Sequence, residues 1–250
     1  MRVTTETELI RYNDNRYDII ILNKKIEDFN KTIDKNKKKS YNLANYYRVK
    51  RKVKELALCN NFDYFVTLTV SPEFCRRNDL DLIIKNIRFL LKKYKRKNKD
   101  FAFMLIPELH KDKTNYHFHG LMKGINKNEI YKNKNGYFSC FYFDEIGFNS
   151  FDKIKDYEKC CSYITKYITK EPQKISSGHS YFHSRGLKFA DRYKMINFDI
   201  SFLKNENNYF ENDYMKKITI KNLNDLSTKD IYKLLNICEE SEDIYYERRL

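Results

Sequence analysis

The chain lacks several things that would narrow or redirect a reading of its function. No apolar stretch in its 250 residues approaches membrane-spanning length, so no membrane partner is expected. No Gly-x-x-x-x-Gly-Lys followed by Ser or Thr occurs, which removes the phosphate-cradling loop of an attached ATP-driven motor. Six cysteines stand at positions 59, 75, 140, 160, 161 and 238 without a Cys-x-x-Cys pair. With no secretory leader in view, reduced thiols in a cytoplasm are the expectation. No repeat is present beyond one doubled tetrapeptide.

What the chain has in excess is positive charge and aromatic rings. A formal net charge of +15 and a pI near 9.3 favour polyanions, with strong salt sensitivity. The 21 Tyr and 18 Phe are interleaved with Lys and Arg, a mixture suited to stacking on bases and contacting the backbone of single-stranded nucleic acid. AT-rich codons would produce part of the same composition, so the charge supports this partner without establishing it.

Two short motifs carry chemistry. In His117-Phe118-His119 the imidazoles are two residues apart, so on a strand both leave the same face and can reach one ion. Glu108 ends the apolar run Phe101-Ala102-Phe103-Met104-Leu105-Ile106-Pro107. The polar turn Lys111-Asp112-Lys113-Thr114-Asn115 would fold it back beside the histidines as a third ligand. Two imidazoles and one carboxylate leave coordination positions open for water and a phosphate oxygen, as a catalytic divalent ion requires. The donor set alone leaves Mg, Mn and Zn open. His110 reads as a turn histidine. His179 and His183 flank a Ser/Gly loop composition and are not placed with the ligands.

The second motif is Tyr163-Ile164-Thr165-Lys166-Tyr167-Ile168-Thr169-Lys170. An amphipathic helix over 152–171 would put Tyr163, Lys166, Tyr167 and Lys170 on one stripe, with Cys160, Cys161, Ile164 and Ile168 turned inward. A packing stripe with snorkelling lysines explains such a pattern when it stands alone. Beside a metal site the phenols gain a chemical use. With an unperturbed pKa near 10, a phenol is both a nucleophile at phosphorus and a leaving group, so a phosphotyrosine ester conserves the cleaved bond.

Taken in order, Tyr64-Phe65-Val66-Thr67-Leu68-Thr69-Val70, then Pro107-Glu108-Leu109-His110 with Tyr116-His117-Phe118-His119-Gly120-Leu121-Met122, then the doubled Tyr-x-x-Lys, resemble the HUH endonucleases. Within them the chain resembles the two-tyrosine rolling-circle replication initiators of plasmids and small phages. Ser184-Arg185-Gly186-Leu187-Lys188 also resembles a segment that follows the tyrosine helix there. The resemblance covers about residues 41–190. It implies an enzyme that nicks single-stranded DNA at a replication origin, stays joined to the 5′ end and frees a 3′ hydroxyl. It implies His117, His119 and Glu108 as ligands of Mg or Mn, Tyr167 for the first cut with Tyr163 as its partner, and Lys166 and Lys170 beside them. Without a motor of its own, such an initiator depends on a separate helicase and polymerase of the host. A relaxase or transposase with the same chemistry is one alternative. A non-catalytic nucleic-acid-binding module on an RNA-recognition-like sheet is the other.

The expected fold class is α+β: a central antiparallel sheet of about five strands with helices packed on it, the RNA-recognition-like HUH nuclease fold, with the His-x-His on a middle strand. Strands are expected at 17–22, 63–70, 102–108, 116–123 and 137–143, and helices at 41–58, 79–98 and 229–240. Residues 1–40 are expected as an N-terminal extension, 41–190 as the endonuclease domain and 191–250 as a C-terminal extension ending acidic.

Overall fold

The computed structural model describes residues 6–22, 37–110, 114–169, 179–196, 203, 208–212 and 215–240. Lys35, Lys170, Glu242 and Asp243, all named from the sequence, lie outside them. In chain order the elements are β1 (Glu6–Asn13), β2 (Arg16–Leu22), α1 (Lys37–Asn60), β3 (Tyr64–Thr69), α2 (Leu80–Lys97), β4 (Ala102–Leu109), β5 (Tyr116–Lys123), β6 (Ile130–Lys132), β7 (Phe138–Cys140), β8 (Asn149–Lys153), α3 (Tyr157–Tyr163), β9 (Phe182–His183), β10 (Asp191–Ile196), β11 (Tyr209–Glu211), β12 (Met215–Ile220) and α4 (Thr228–Glu240). The fold class is α+β. The chain forms two compact units, one spanning Asp34–Lys188 and the other combining Met1–Ile33 with Phe189–Leu250.

In the first unit five antiparallel strands lie in the order β8-β3-β5-β4-β9, with β5 at the centre. Strand alternation divides its side chains between two faces. Val66, Leu68, Phe118, Phe103, Leu105 and Phe151 belong to one core with the buried stripe of α2, Ile83, Ile84, Ile87, Leu90, Leu91 and Tyr94. The α2 stripe recurs at helical spacing. The helix starts where Asp79 accepts the Leu82 N–H at 3.0 Å and ends on Lys95, Arg96 and Lys97, each favourable to the helix dipole. Each fully buried Leu, Ile or Phe contributes roughly 1.5–3 kcal/mol of apolar burial, so this core holds α2 to the sheet.

α1 and α3 pack against each other on the other side, and the single 3-10 turn Ile164–Tyr167 after α3 rests on β4 and β5. Tyr157 pins the pair. Its hydroxyl donates to the Ala57 carbonyl at 2.6 Å and accepts the Phe62 N–H at 2.9 Å. Asn60 closes the unit, exchanging hydrogen bonds with the Lys188 carbonyl at 2.9 Å and N–H at 2.9 Å.

Two elements differ from expectation. The amphipathic run 152–171 is not one helix: β8 continues through Lys153, Asp156 caps α3 by accepting the Lys159 N–H at 3.0 Å, and the α-helix gives way to the 3-10 turn after Tyr163. The periodic pattern reports which side chains are buried, and a strand end, a helix and a tighter turn satisfy it in series. The expected strand 137–143 shortens to β7, because Phe141–Ile146 wind into 3-10 turns that bury Phe143 and Ile146.

The second unit has its own sheet, in the order β10-β1-β2-β12-β11, antiparallel throughout. The stretches at the two ends of the chain, expected as separate extensions, therefore contribute strands to one sheet. Leu9, Tyr17, Ile19, Ile218, Ile220 and Leu234 form its core. The alternation of Tyr17, Ile19 and Ile21 needs an apolar partner face, and β12 supplies it. The burial of Asp18 is offset by three partners: Tyr12 Oη at 2.8 Å, Thr219 Oγ1 at 2.8 Å and Lys217 Nζ at 2.6 Å. No helix among the described residues is long and apolar enough to cross a membrane.

Gly120 lies on β5 immediately after His119, where an added Cβ would stand 2.2 Å from the Met104 carbonyl oxygen. That oxygen belongs to the backbone of β4, the strand that carries Glu108. Gly120→Ala is expected to lower stability by roughly 1–3 kcal/mol, read as a reduced urea midpoint with an unchanged slope.

Candidate active site

The β4–β5 hairpin register sets Glu108 directly opposite His117, and the β3–β5 register sets Thr67 opposite His119 and Thr69 opposite His117. All these side chains leave one face of the sheet. Glu108 Oε2 lies 2.8 Å from His117 Nε2 and 2.9 Å from His119 Nε2. The three potential ligand atoms fall within 4.8 Å of one another, so the group could hold a metal ion. Among the described residues this is the only cluster of three or more such side chains.

His119 is buried, and burial is the first cause of a pKa lowered to about 4, with the charge of His117 adding to it and Glu108 opposing it. Near neutral pH its contact with Glu108 is therefore a hydrogen bond from a neutral ring rather than an ion pair. With Nε2 donating to the carboxylate, Nδ1 accepts from Thr67 Oγ1, 3.1 Å away. A cation in the centre requires the Nε2 lone pair, and the proton then sits on Nδ1 and is donated to the same hydroxyl. A threonine hydroxyl can serve either direction. The donor set thus fits a divalent ion: two imidazoles, one carboxylate, and a neighbouring group that tolerates the tautomer the ion demands.

The 3-10 turn brings the phenols to this face. The Tyr167 ring stacks on His119 with centroids 3.8 Å apart and planes at 21°. Tyr167 Oη donates to Tyr163 Oη at 3.1 Å, and Lys166 Nζ lies 3.5 Å from the same Tyr163 oxygen. Accepting from Tyr167 and facing Lys166 lowers the Tyr163 pKa, whereas burial and donation to Tyr163 raise that of Tyr167. Ile164, Ile168 and Cys161 are buried beneath the turn. Half-buried Cys160 is not part of that buried set.

Of the residues chosen from sequence, Glu108, His117, His119, Tyr163, Lys166 and Tyr167 come together. Lys170 lies outside the described residues. The His110 ring meets His117 edge-on at 5.5 Å, and the His110 N–H bonds the Asn115 carbonyl at 2.7 Å, as a turn residue does. His183 belongs to β9, its Nδ1 beside the Ser184 carbonyl at 2.9 Å, apart from the ligand group. Two site residues were missed. Thr67 orients His119, and Phe65 meets Tyr163 at 5.6 Å, Tyr167 at 6.0 Å and His119 at 6.1 Å. The alternation Phe65, Thr67, Thr69 was legible, but only the register against β5 gives it meaning.

Over residues 63–172 the chain matches the family of replication-associated proteins of the ORF2 type. The match supports membership of a replication-initiator family, and with it a role in DNA replication. The matched stretch runs from the residue before β3 to just past the tyrosine turn and so takes in every residue of the site. No curated protein and no solved structure matches the chain.

Because the folded-state pKa of His119 lies below the ordinary value of 6.5, the unfolded chain takes up this proton first as pH falls. The metal-free protein is therefore expected to lose stability between pH 6.5 and about pH 4, by roughly 3 kcal/mol at most from this group, and no more below that. Denaturant melts across this range should show a shallower decline in His119→Asn than in the wild type.

Proposed function

We propose that the protein is a rolling-circle replication initiator that nicks and rejoins single-stranded DNA at an origin by tyrosine transesterification. The observation that carries this reading is the stacking of Tyr167 on His119, which sets a phenol pair against a three-ligand metal group on one face of a sheet. A bound divalent ion, Mg or Mn, held by Glu108, His117 and His119, would supply charge stabilisation at the non-bridging oxygens of the scissile phosphate.

The rest is performed by side chains. A phenol oxygen attacks phosphorus, the new bond joins tyrosine to the 5′ phosphate, and the bond from phosphorus to the 3′ oxygen breaks. That oxygen leaves with a proton as a 3′ hydroxyl. The Tyr167 proton is already directed at the Tyr163 oxygen, which can accept it while passing its own to water. Lys166 adds positive charge at the same place. Tyr167 takes the first cut, because it lies against a metal ligand. The lower pKa of Tyr163 argues less strongly, since it arises from a hydrogen bond that is lost when either oxygen turns to phosphorus. Tyr163 then serves a second transfer while the first strand end is held. Unwinding and synthesis fall to a separate helicase and polymerase of the host.

Covalent trapping tests this. Purified protein, single-stranded DNA from its own genetic element and Mn or Mg should give an adduct that survives denaturing electrophoresis. Tyr167→Phe should reduce the first adduct by roughly a hundredfold or more and Tyr163→Phe by only a few-fold, the double variant should give none, and His117→Ala should cost at least about a hundredfold. Tight, salt-sensitive binding without any adduct would favour the non-catalytic module instead.

A further inference from the structure

Exposed aromatic rings are concentrated in one segment that the chemistry above does not use. Of the eleven large apolar side chains that are exposed among the described residues, five fall between 131 and 148: Tyr131, Tyr137, Phe138, Phe141 and Phe148. β6 and β7 form a hairpin in which Tyr131 stands opposite Ser139. Beyond the hairpin turn, the Tyr137 ring meets Phe148 edge-on at 5.7 Å and 88°.

This segment is built to hold its rings in place. Ser139 Oγ donates to the Asn149 carbonyl at 2.6 Å, and buried Asn149 accepts the Cys140 N–H at 2.8 Å. Asn149 Nδ2 donates to Asp144 at 2.8 Å, and the Tyr131 hydroxyl donates to the same carboxylate at 2.9 Å. Tyr94, buried in the α2 core, anchors the approach by donating to Glu129 at 2.6 Å and accepting the Asn126 N–H at 3.0 Å. Between the rings lies an open depression of about 480 Å³ edged by Tyr131, Asn133, Ser139, Asp144 and Phe148.

The platform adjoins the candidate site. Thr69 donates its N–H to the Phe148 carbonyl at 2.7 Å, one residue beyond the Leu68–Asn149 pair, while Thr69 itself stands opposite His117. Continuing that register puts Phe148 on the face that bears His117. Two strand spacings put its backbone roughly 10 Å from the ligand strand. Phe138, by contrast, alternates with inward-facing Ser139 and leaves the opposite face of the hairpin. Local charge is balanced, with Lys132 and Lys134 set against Asp144 and Glu145, so the rings rather than ionic contacts distinguish this surface.

We propose that Tyr131, Tyr137 and Phe148 form a stacking platform for unpaired bases of the DNA strand that flanks the phosphate at the His/Glu group. The proposal rests on the reading of that group as a single-strand cleavage site. Such stacking is sequence-tolerant and insensitive to salt, in contrast to phosphate contacts.

The test is anisotropy of a labelled oligodeoxythymidine with the full chain at two salt concentrations. Phe148→Ala and Tyr137→Ala should each weaken binding by about tenfold with the salt slope unchanged. Phe148→Trp should bind as the wild type, Phe148→Leu should not, and Phe138→Ala should be silent. Where Phe148→Ala fails to melt cooperatively, Tyr137→Ala decides. Wild-type affinity in both alanine variants, rescue by Leu equal to that by Trp, or an equal loss in Phe138→Ala would overturn the platform. Adduct formation separates the two claims: alanine variants that lose affinity in a protein giving no adduct sustain the platform and sink the nickase, and full affinity with normal adduct does the reverse.

Discussion

A single carboxylate oxygen accepting from two imidazoles, at 2.8 Å from His117 and 2.9 Å from His119, is the contact around which the site is arranged. It exists because a short turn pairs β4 with β5 in a register that sets Glu108 opposite His117. A one-residue slip of that hairpin would carry the carboxylate to the other face and leave two imidazoles without it. The register is protected from below by the α2 core and from within by Gly120, whose missing side chain lets the β4 backbone approach. Stability and chemistry thus share one constraint. The same strands that must pack must also converge their polar ends.

The tyrosines depend on this arrangement rather than the reverse. Their turn is short and exposed on one side, and it is located by Ile164 and Ile168 below and by the ring of His119 beside Tyr167. A long straight helix would have carried the motif past the sheet. The change from α-helix to 3-10 turn after Tyr163 keeps both phenol oxygens 3.1 Å apart and within reach of the ligand group. Thr67 gives the His119 ring a fixed orientation while allowing either tautomer, so the group can be hydrogen-bonded when empty and coordinating when filled.

Much of this was legible before the fold was known, where the signal was local. The alternation of His117 and His119 about Phe118, the apolar run ending at Glu108 and the stripe of α2 each point to one element and one face. The bounds of β5 coincide with the expectation, and those of β3, β4 and α2 fall within a residue of it. What could not be read was whatever depends on long-range pairing. Thr67 becomes a partner of His119 only through the β3–β5 register. Tyr157 reads as one more apolar position until its hydroxyl is seen to bridge Ala57 and Phe62. The strands at 6–13 and 16–22 reveal nothing of their partners at 191–196 and 215–220, because no short-range pattern encodes a pairing across so much chain.

Anomalous diffraction from crystals soaked with Mn tests the central claim most directly, since it locates the ion without relying on turnover. The account predicts one strong peak per chain about 2.1 Å from Nε2 of His117, Nε2 of His119 and a Glu108 carboxylate oxygen, absent in Glu108→Ala. A peak held by other carboxylates, or none at saturating Mn with the 2.8 and 2.9 Å hydrogen bonds intact, would contradict it and leave the three side chains as a structural hydrogen-bond network.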